Sequence, residues 1–159
     1  MDLRLELVPF GHPDAERLIA AVQQEYVARY GGEDETPIDP LMFEPPLGSF
    51  YVGYVEGLPV VSGAWRRRDD LESLGSTAVA EVKRMYVAPA VRGQGLGRRM
   101  LAHLEESVRD AGLEVVVLET GDQQPEAMAM YASSGYVPVP KFGIYACHES
   151  SRCFGKRLR

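Results

Sequence analysis

"AEVKRMYVAPAVRGQGLGRRMLAHLEESVRDAG", residues 80–112, decides how this chain folds. Its first part is extended and apolar, and it turns at Pro89. Three glycines then follow at alternate positions, Gly93, Gly95 and Gly97, inside "RGQGLG". Its last part is the clearest helix in the chain: Leu96, Met100, Leu101, Leu104 and Val108 keep an i, i+4 stripe, and Gly112 supplies a C′ stop. A strand running into a glycine-rich turn that opens a helix presents unpaired amides at the positive end of the helix dipole. That geometry binds phosphate. Glycine leaves no Cβ between those amides and a ligand, and Arg92 and Arg98 add charge at the rim. A tight turn alone does not need three glycines. The turn is not a Walker A loop, because no lysine follows the glycines, and its G-x-G-x-G spacing departs from the dinucleotide fingerprint.

Working outward, "LRLELV" (3–8) alternates as a strand, and "DAERLIAAVQQEYVARY" (14–30) places Leu18, Ile19, Val22 and Tyr26 on one helical stripe before Gly31-Gly32. "EDETPIDPLMFEPPLG" (33–48) is acidic, proline-rich and irregular. "SFYVGYVEG" and "LPVVSGAW" form two strands with a hairpin near Glu56-Gly57, and "AVAEVKRMYV" (78–87) a third. "EVVVLET" (114–120) is a continuous apolar run, as for a strand covered on both faces. "PEAMAMYASSG" (125–135) reads as a short helix, and "YVPVP" and "SRCFGKRL" add strands. The order βα(α)βββαβαββ predicts an α/β (mixed α+β) fold: one mixed central sheet of about six to seven strands flanked by about four helices, in a single domain spanning 1–159. The strand–helix–strand unit from 78 to 120 should be parallel with a right-handed crossover.

Composition removes several function classes. The 159 residues carry 45% hydrophobic and 25% charged residues, an ordinary globular balance. No run approaches the roughly 18–20 apolar residues of a membrane span, and "MDLRLELVPF" has no signal-peptide core, so a cytoplasmic protein without membrane contact is expected. Net charge is −6, whereas duplex-binding proteins are usually basic, so no nucleic-acid partner is expected. "RRR" (66–68) reads as a solvated strand end. Cys147 and Cys153, like His12, His103 and His148, lack metal-ligand or disulfide spacing, so no metal is expected.

"RGQGLG" matches the R/Q-x-x-G-x-G/A signature, and with "AEVKRMYVAP" before it and "PEAMAMYASSGYVPVP" one strand later the chain resembles the GNAT superfamily of acyl-coenzyme A-dependent N-acetyltransferases. The resemblance covers roughly residues 3 to 158 and is strongest from 78 to 140. It implies a GNAT-like sheet that splays at the cofactor cleft, and acetyl-CoA as co-substrate. The diphosphate would rest on Arg92, Gly93, Gln94, Gly95, Leu96 and Gly97 with Arg98 alongside. Backbone groups of Met85 and Val87 would pair with the pantetheine arm, and the Met85 amide would serve as oxyanion donor.

In the same family, the position of Glu81 often supplies the general base and that of Tyr131 the acid that protonates the leaving thiolate. An alkyl amine with a pKa of about 10.4 needs such a base, and a thiol with a pKa of about 8.5 leaves better with a proton donor. Period-2 counting puts Glu81 on the face of Met85. Relatives often carry N-x-x-A before this helix; here Gln124-Pro125-Glu126-Ala127 puts a glutamine in that role. Tyr136 reads as packing.

Tyr26, Tyr30, Glu33, Asp34, Glu35 and Tyr145 would line the acceptor rim, a carboxylate-rich and aromatic border suited to a cationic small-molecule amine; a protein amine stays open. The resemblance also allows a homodimer. A catalytically silent acyl-CoA-binding sensor or scaffold is the alternative, since it would need the glycine turn but neither Glu81 nor Tyr131.

Overall fold

A computed structural model describes residues 2–158. Its elements follow the expected order. They are β1 (Arg4–Leu7), α1 (Pro13–Tyr30), β2 (Gly48–Val55), β3 (Leu58–Arg67), β4 (Val79–Val87), α2 (Leu96–Asp110), β5 (Val115–Gly121), α3 (Pro125–Ser133), β6 (Val137–Pro138) and β7 (Ser151–Arg157). The seven strands form one sheet in the order β1-β2-β3-β4-β5-β7-β6, with β4–β5 the parallel pair. Three α-helices are present among the described residues rather than about four: the segment after α1 yields only a 3₁₀ turn, Pro40–Phe43, because its prolines remove the amides a longer helix needs.

Local chemistry sets the ends of these elements. The His12 side chain accepts a hydrogen bond from the Asp14 amide at 3.1 Å and Pro13 opens the first turn, so α1 starts there. Gly31 ends it at φ 81°, in the left-handed region. The β2–β3 hairpin turns on Glu56 and Gly57, both at positive φ.

Two apolar layers sandwich the sheet. On one face Met100, Leu101, Leu104 and Val108 of α2 pack on Val61, Trp65, Ala80 and Val82, joined by Tyr131 and Tyr136. Gly63 lets α2 approach, because a Cβ there would lie 2.8 Å from Met100 and 2.9 Å from Leu104. On the other face Leu18 and Val22 of α1 cover Phe50, Val52, Ala64 and Tyr86. Val115, Val116, Val117 and Leu118 are all buried, as the apolar run of β5 requires.

Two irregularities in β4 position everything that follows. Ser62 pairs with Tyr86 and Ala64 with Lys83, so Arg84 and Met85 together oppose Gly63 in a β-bulge. Arg84 takes φ 59°, and the buried Ser62 hydroxyl donates to its carbonyl at 2.7 Å. A bulge shifts the side-chain phase by one. Ala80 and Val82 face α2 before it, and Met85 and Val87 face α2 after it. The second irregularity is a split. β4 and β5 pair from Val79↔Val115 to Val82↔Leu118 and no further, although both strands continue. Their C-terminal ends diverge into a cleft.

Candidate active site

The split exposes the β5-facing edge of β4 from Lys83 onward, and the glycine turn sits at its mouth. Gly93 and Gly95 adopt φ 79° and 77°, which aims successive backbone dipoles outward, and a Cβ at either would meet nothing within 4 Å. Gly95 caps α2 without any side-chain hydrogen bond, so the first amides of the helix stay available. Gly97 is required for packing instead. A Cβ there would press on Met130 and Val87 at 3.3 Å, so the missing side chain lets α2 close on β4 and α3.

A cleft of about 480 Å³ runs from this turn into the split. Met85, Val87, Arg92, Gly93, Gly95, Leu96, Gly97, Arg98, Gln124 and Tyr131, all expected at the cofactor, line it. Gln94 does not line it; its side chain is exposed on the turn. The Arg92 guanidinium is not free at the rim. It donates to the Val87 carbonyl at 2.8 Å and pairs with Glu25, tying α1 to the end of β4. Arg98 reaches Ser134 at 3.1 Å.

Tyr131 is buried on the wall of this cleft, edge-on to Tyr136 at 5.8 Å. Burial, then the neighbouring Tyr26, pushes its phenol well above the usual tyrosine range, so it keeps its proton. Tyr136 packs as expected, donating to Glu105 at 2.8 Å.

A second cavity of about 390 Å³ adjoins the first, and Tyr26, Glu119, Thr120 and Gln124 belong to both. Tyr26, Tyr30, Glu33, Asp34, Glu35 and Tyr145, the residues expected at the acceptor rim, all line it. Its wall is latched. Tyr30 Oη accepts from the Gln123 amide at 3.2 Å and from the Gln124 side chain at 3.3 Å, and Arg29 donates to the Gln123 carbonyl at 2.7 Å. Gly121 permits this, since a Cβ there would fall 1.8 Å from Tyr30 Oη. From the far side the Tyr145 hydroxyl accepts from the Glu35 amide at 2.6 Å, closing the C-terminal loop onto the segment after α1.

Glu81 does not behave as expected. It lies across the sheet from Met85, because the bulge at Arg84 reverses the phase that period-2 counting assumed. It lines neither cavity, and its carboxylate is 4% exposed. Arg66 holds it at 2.9 Å and Arg68 at 2.7 Å. The "RRR" stretch is therefore not a solvated strand end: Arg66 and Arg68 turn inward to neutralise a buried anion, and Arg68 lies over the Phe142 ring at 5.6 Å.

The carboxylate that does reach both cavities is Glu119, near the end of β5. It accepts from the Ser151 hydroxyl at 2.7 Å, and burial raises its pKa above the ordinary carboxylate value. Sequence reading passed over it. The available signal was its position as the first polar residue after "VVVL", at the carboxyl end of a parallel strand, where sheets of this kind bind ligands. Lys83 and Arg84 were also missed. Two adjacent polar residues break the alternation of β4, which marks the bulge itself.

The profile of the acetyltransferase (GNAT) family matches residues 16–136. An IAA acetyltransferase from Azospirillum brasilense is 38% identical over 86 residues, 50% of this chain and 56% of that protein, so the match spans little more than half the relative's length. A solved structure from Klebsiella pneumoniae subsp. pneumoniae MGH 78578, assigned as an acyl-CoA N-acyltransferase, superposes with a TM-score of 0.78 at 26% identity, covering 99% of this chain and 98% of its own. The PaiA N-acetyltransferase from Thermoplasma acidophilum, solved in complex with coenzyme A, shares the fold at a TM-score of 0.71 and 15% identity, covering 99% and 100%.

Proposed function

The chain belongs to the GNAT acetyltransferase family, and from that premise we propose that it transfers an acetyl group from acetyl-CoA to the primary amine of a small molecule. The observation that carries this reading is the junction of two cavities. One is a cleft that opens on an uncapped glycine turn, and the other is an aromatic chamber that meets it at Glu119 and Gln124.

Each group of the chain has a defined role in this reading. The amides of residues 93 to 97 grip the diphosphate, helped by the dipole of α2. Met85 and Val87, on the edge of β4 that β5 leaves unpaired, pair with the pantetheine arm as a strand edge pairs with a peptide, Val87 through its amide because Arg92 holds its carbonyl. Gln124 supports the arm from the opposite wall. Glu119 accepts the proton that the attacking amine loses, directly or through one ordered water. The Met85 amide holds the thioester carbonyl oxygen while negative charge builds on it; such donors are commonly worth about 10² to 10³ in rate. Tyr131 gives its proton to the departing sulfur and is restored from solvent. Glu81 takes no part: it is buried between Arg66 and Arg68 and lines neither cavity, so an amine in the chamber does not reach it.

Thiol release from acetyl-CoA, followed across a panel of amines, tests the reading. Release should rise with at least one amine class, and Tyr131→Phe should lower kcat by roughly 10²-fold with little change in the Kd for coenzyme A. Tight coenzyme A binding with no amine-stimulated release would favour the silent sensor. A loss of affinity with unchanged kcat would make Tyr131 a packing residue.

A further inference from the structure

The floor of the acceptor cavity is cationic, against the acidic rim that the sequence suggests. Lys83 and Arg84 stand side by side on the bulge and both line the chamber, with side chains 8% and 4% exposed. They converge on one oxygen, Asp34 Oδ2, at 3.3 and 3.1 Å. The other oxygen of Asp34 accepts from the Thr36 amide at 3.0 Å and the Thr36 hydroxyl at 2.6 Å. Burial alone would raise the Asp34 pKa, but Lys83, the Thr36 bonds and Arg84 outweigh it and hold the group at about 2. Asp34 is thus an internal counter-ion with no lone pair left over for a substrate ammonium.

That counter-ion does not satisfy Arg84. A guanidinium presents five donors in a fork that suits two-point contact with an oxyanion. Asp34 meets this fork through Nη1, while Nε is buried without a protein acceptor. Unpaired buried donors on charged groups are rare, and each calls for an explanation. Arg84 also sits at φ 59°, a conformation non-glycine residues seldom adopt and one found most often at functional sites. Lys83 is shared with Glu81 at 3.9 Å, and Glu81 is in turn held by Arg66 and Arg68. Four cations therefore lean on Glu81, Asp34 and the exposed Asp70. The chamber has two electrostatic ends: Arg84 and Lys83 on the floor, and Glu119 at the junction with the cleft, with Glu33 and Glu35 on the rim.

We propose that the acceptor is an amine that also carries an oxyanion, a carboxylate or a phosphonate, seated on Arg84 and Lys83 with its amine directed at Glu119. This rests on the acyl-transfer reading above, and two readouts separate the fates of the two. The first is kcat/KM for thiol release with matched pairs: L-methionine against L-methioninamide, and 2-aminoethylphosphonate against ethanolamine, with putrescine as a dication. The neutral member of each pair carries the less basic amine, because no anion stabilises its ammonium, so intrinsic reactivity runs against the expected preference. The second is calorimetric binding of two anionic probes, N-acetyl-L-methionine and 2-acetamidoethylphosphonate, and of their neutral counterparts, N-acetyl-L-methioninamide and N-acetylethanolamine, to protein saturated with coenzyme A, which needs no turnover.

In the wild type the anionic member of at least one pair should be favoured roughly 10- to 100-fold in both readouts, the range of charge-assisted hydrogen bonds. The pair with the larger ratio identifies carboxylate or phosphonate. Arg84→Gln should bring the ratio close to one, and Arg84→Lys should keep part of it, since charge remains and the fork is lost. Should Arg84→Gln fail to fold, the wild-type ratio and the Lys variant decide alone. A wild-type ratio near one, a preference for the neutral amine or for putrescine, absence of binding by either anionic probe, or a ratio unchanged in Arg84→Gln overturns the proposal. Turnover without charge preference refutes the anion floor and leaves acyl transfer standing. Charge-selective binding without turnover by any amine does the reverse.

Discussion

A carboxylate serves as a base only where a substrate can reach it, and in the proposed mechanism access separates Glu81 from Glu119. Arg66 and Arg68 bind Glu81 at 2.9 and 2.7 Å in a buried setting, whereas Glu119 has a hydroxyl at 2.7 Å and faces both cavities. The two isosteric amides should therefore part company. Glu119→Gln should cut kcat by about 10²-fold or more while leaving the unfolding midpoint in urea nearly unchanged. Glu81→Gln should instead remove the buried anion between Arg66 and Arg68, of which only Arg68 keeps a second carboxylate, Asp70, and cost about 3 kcal/mol of stability, measured by the same urea titration. The pH dependence has a fixed sign. The pKa of Glu119 is raised, so its basic form is lost on acidification earlier than an ordinary carboxylate's would be. The acid limb of kcat/KM should lie above the usual carboxylate range and vanish in Glu119→Gln. A limb that persists there would move the base elsewhere.

Among the elements, the turn at 92–97 and the end of β5 rely on glycine for opposite reasons. At Gly95 the backbone is left-handed and the space above it is open. Valine there would be strained by the positive φ and would place methyl groups in the space the proposed diphosphate occupies, so Gly95→Val should weaken acetyl-CoA binding at least tenfold by calorimetry. At Gly121 the backbone is not left-handed, but the Tyr30 ring lies across it. Gly121→Ala should displace Tyr30, unlatch α1 from Gln123 and Gln124, and raise KM for the amine more than for acetyl-CoA. Equal effects on both would mean that the latch does not border the acceptor chamber.

Local patterns made most elements legible: the i, i+4 stripe of α2, the apolar run of β5 and the Glu56-Gly57 hairpin each carry their geometry in a few residues. The bulge was legible only in part, because adjacent Lys83 and Arg84 break the alternation without saying which face each strand half will take. The inward turn of Arg66 and Arg68 was not legible, since it depends on a partner thirteen to fifteen positions away that only β3–β4 pairing brings close.

On the scale of the whole molecule, the proposed function rests on a sheet that fails to close. Parallel pairing of β4 with β5 stops at Val82↔Leu118, and each strand carries its polar groups just beyond that point: Lys83 and Arg84 on one side, Glu119 and Thr120 on the other. Neither strand alone reveals this, and the glycine turn is placed at the mouth by the crossover through α2. The rim of the second chamber was legible, since Tyr26, Tyr30, Glu33, Asp34, Glu35 and Tyr145 all line it, but its floor of Lys83 and Arg84 and its junction at Glu119 were not. Its residues come from α1, the segment after it, β4, β5 and the C-terminal loop, and what joins them are long-range contacts such as Tyr145 to Glu35 and Arg84 to Asp34.

A crystal structure of the protein grown with acetyl-CoA tests the central claim most directly. The diphosphate should lie within hydrogen-bonding distance of the amides of residues 93 to 97, and the thioester carbonyl should point at the Met85 amide between the parted ends of β4 and β5. A coenzyme bound elsewhere, or an acyl group pointing away from Glu119, would contradict the account.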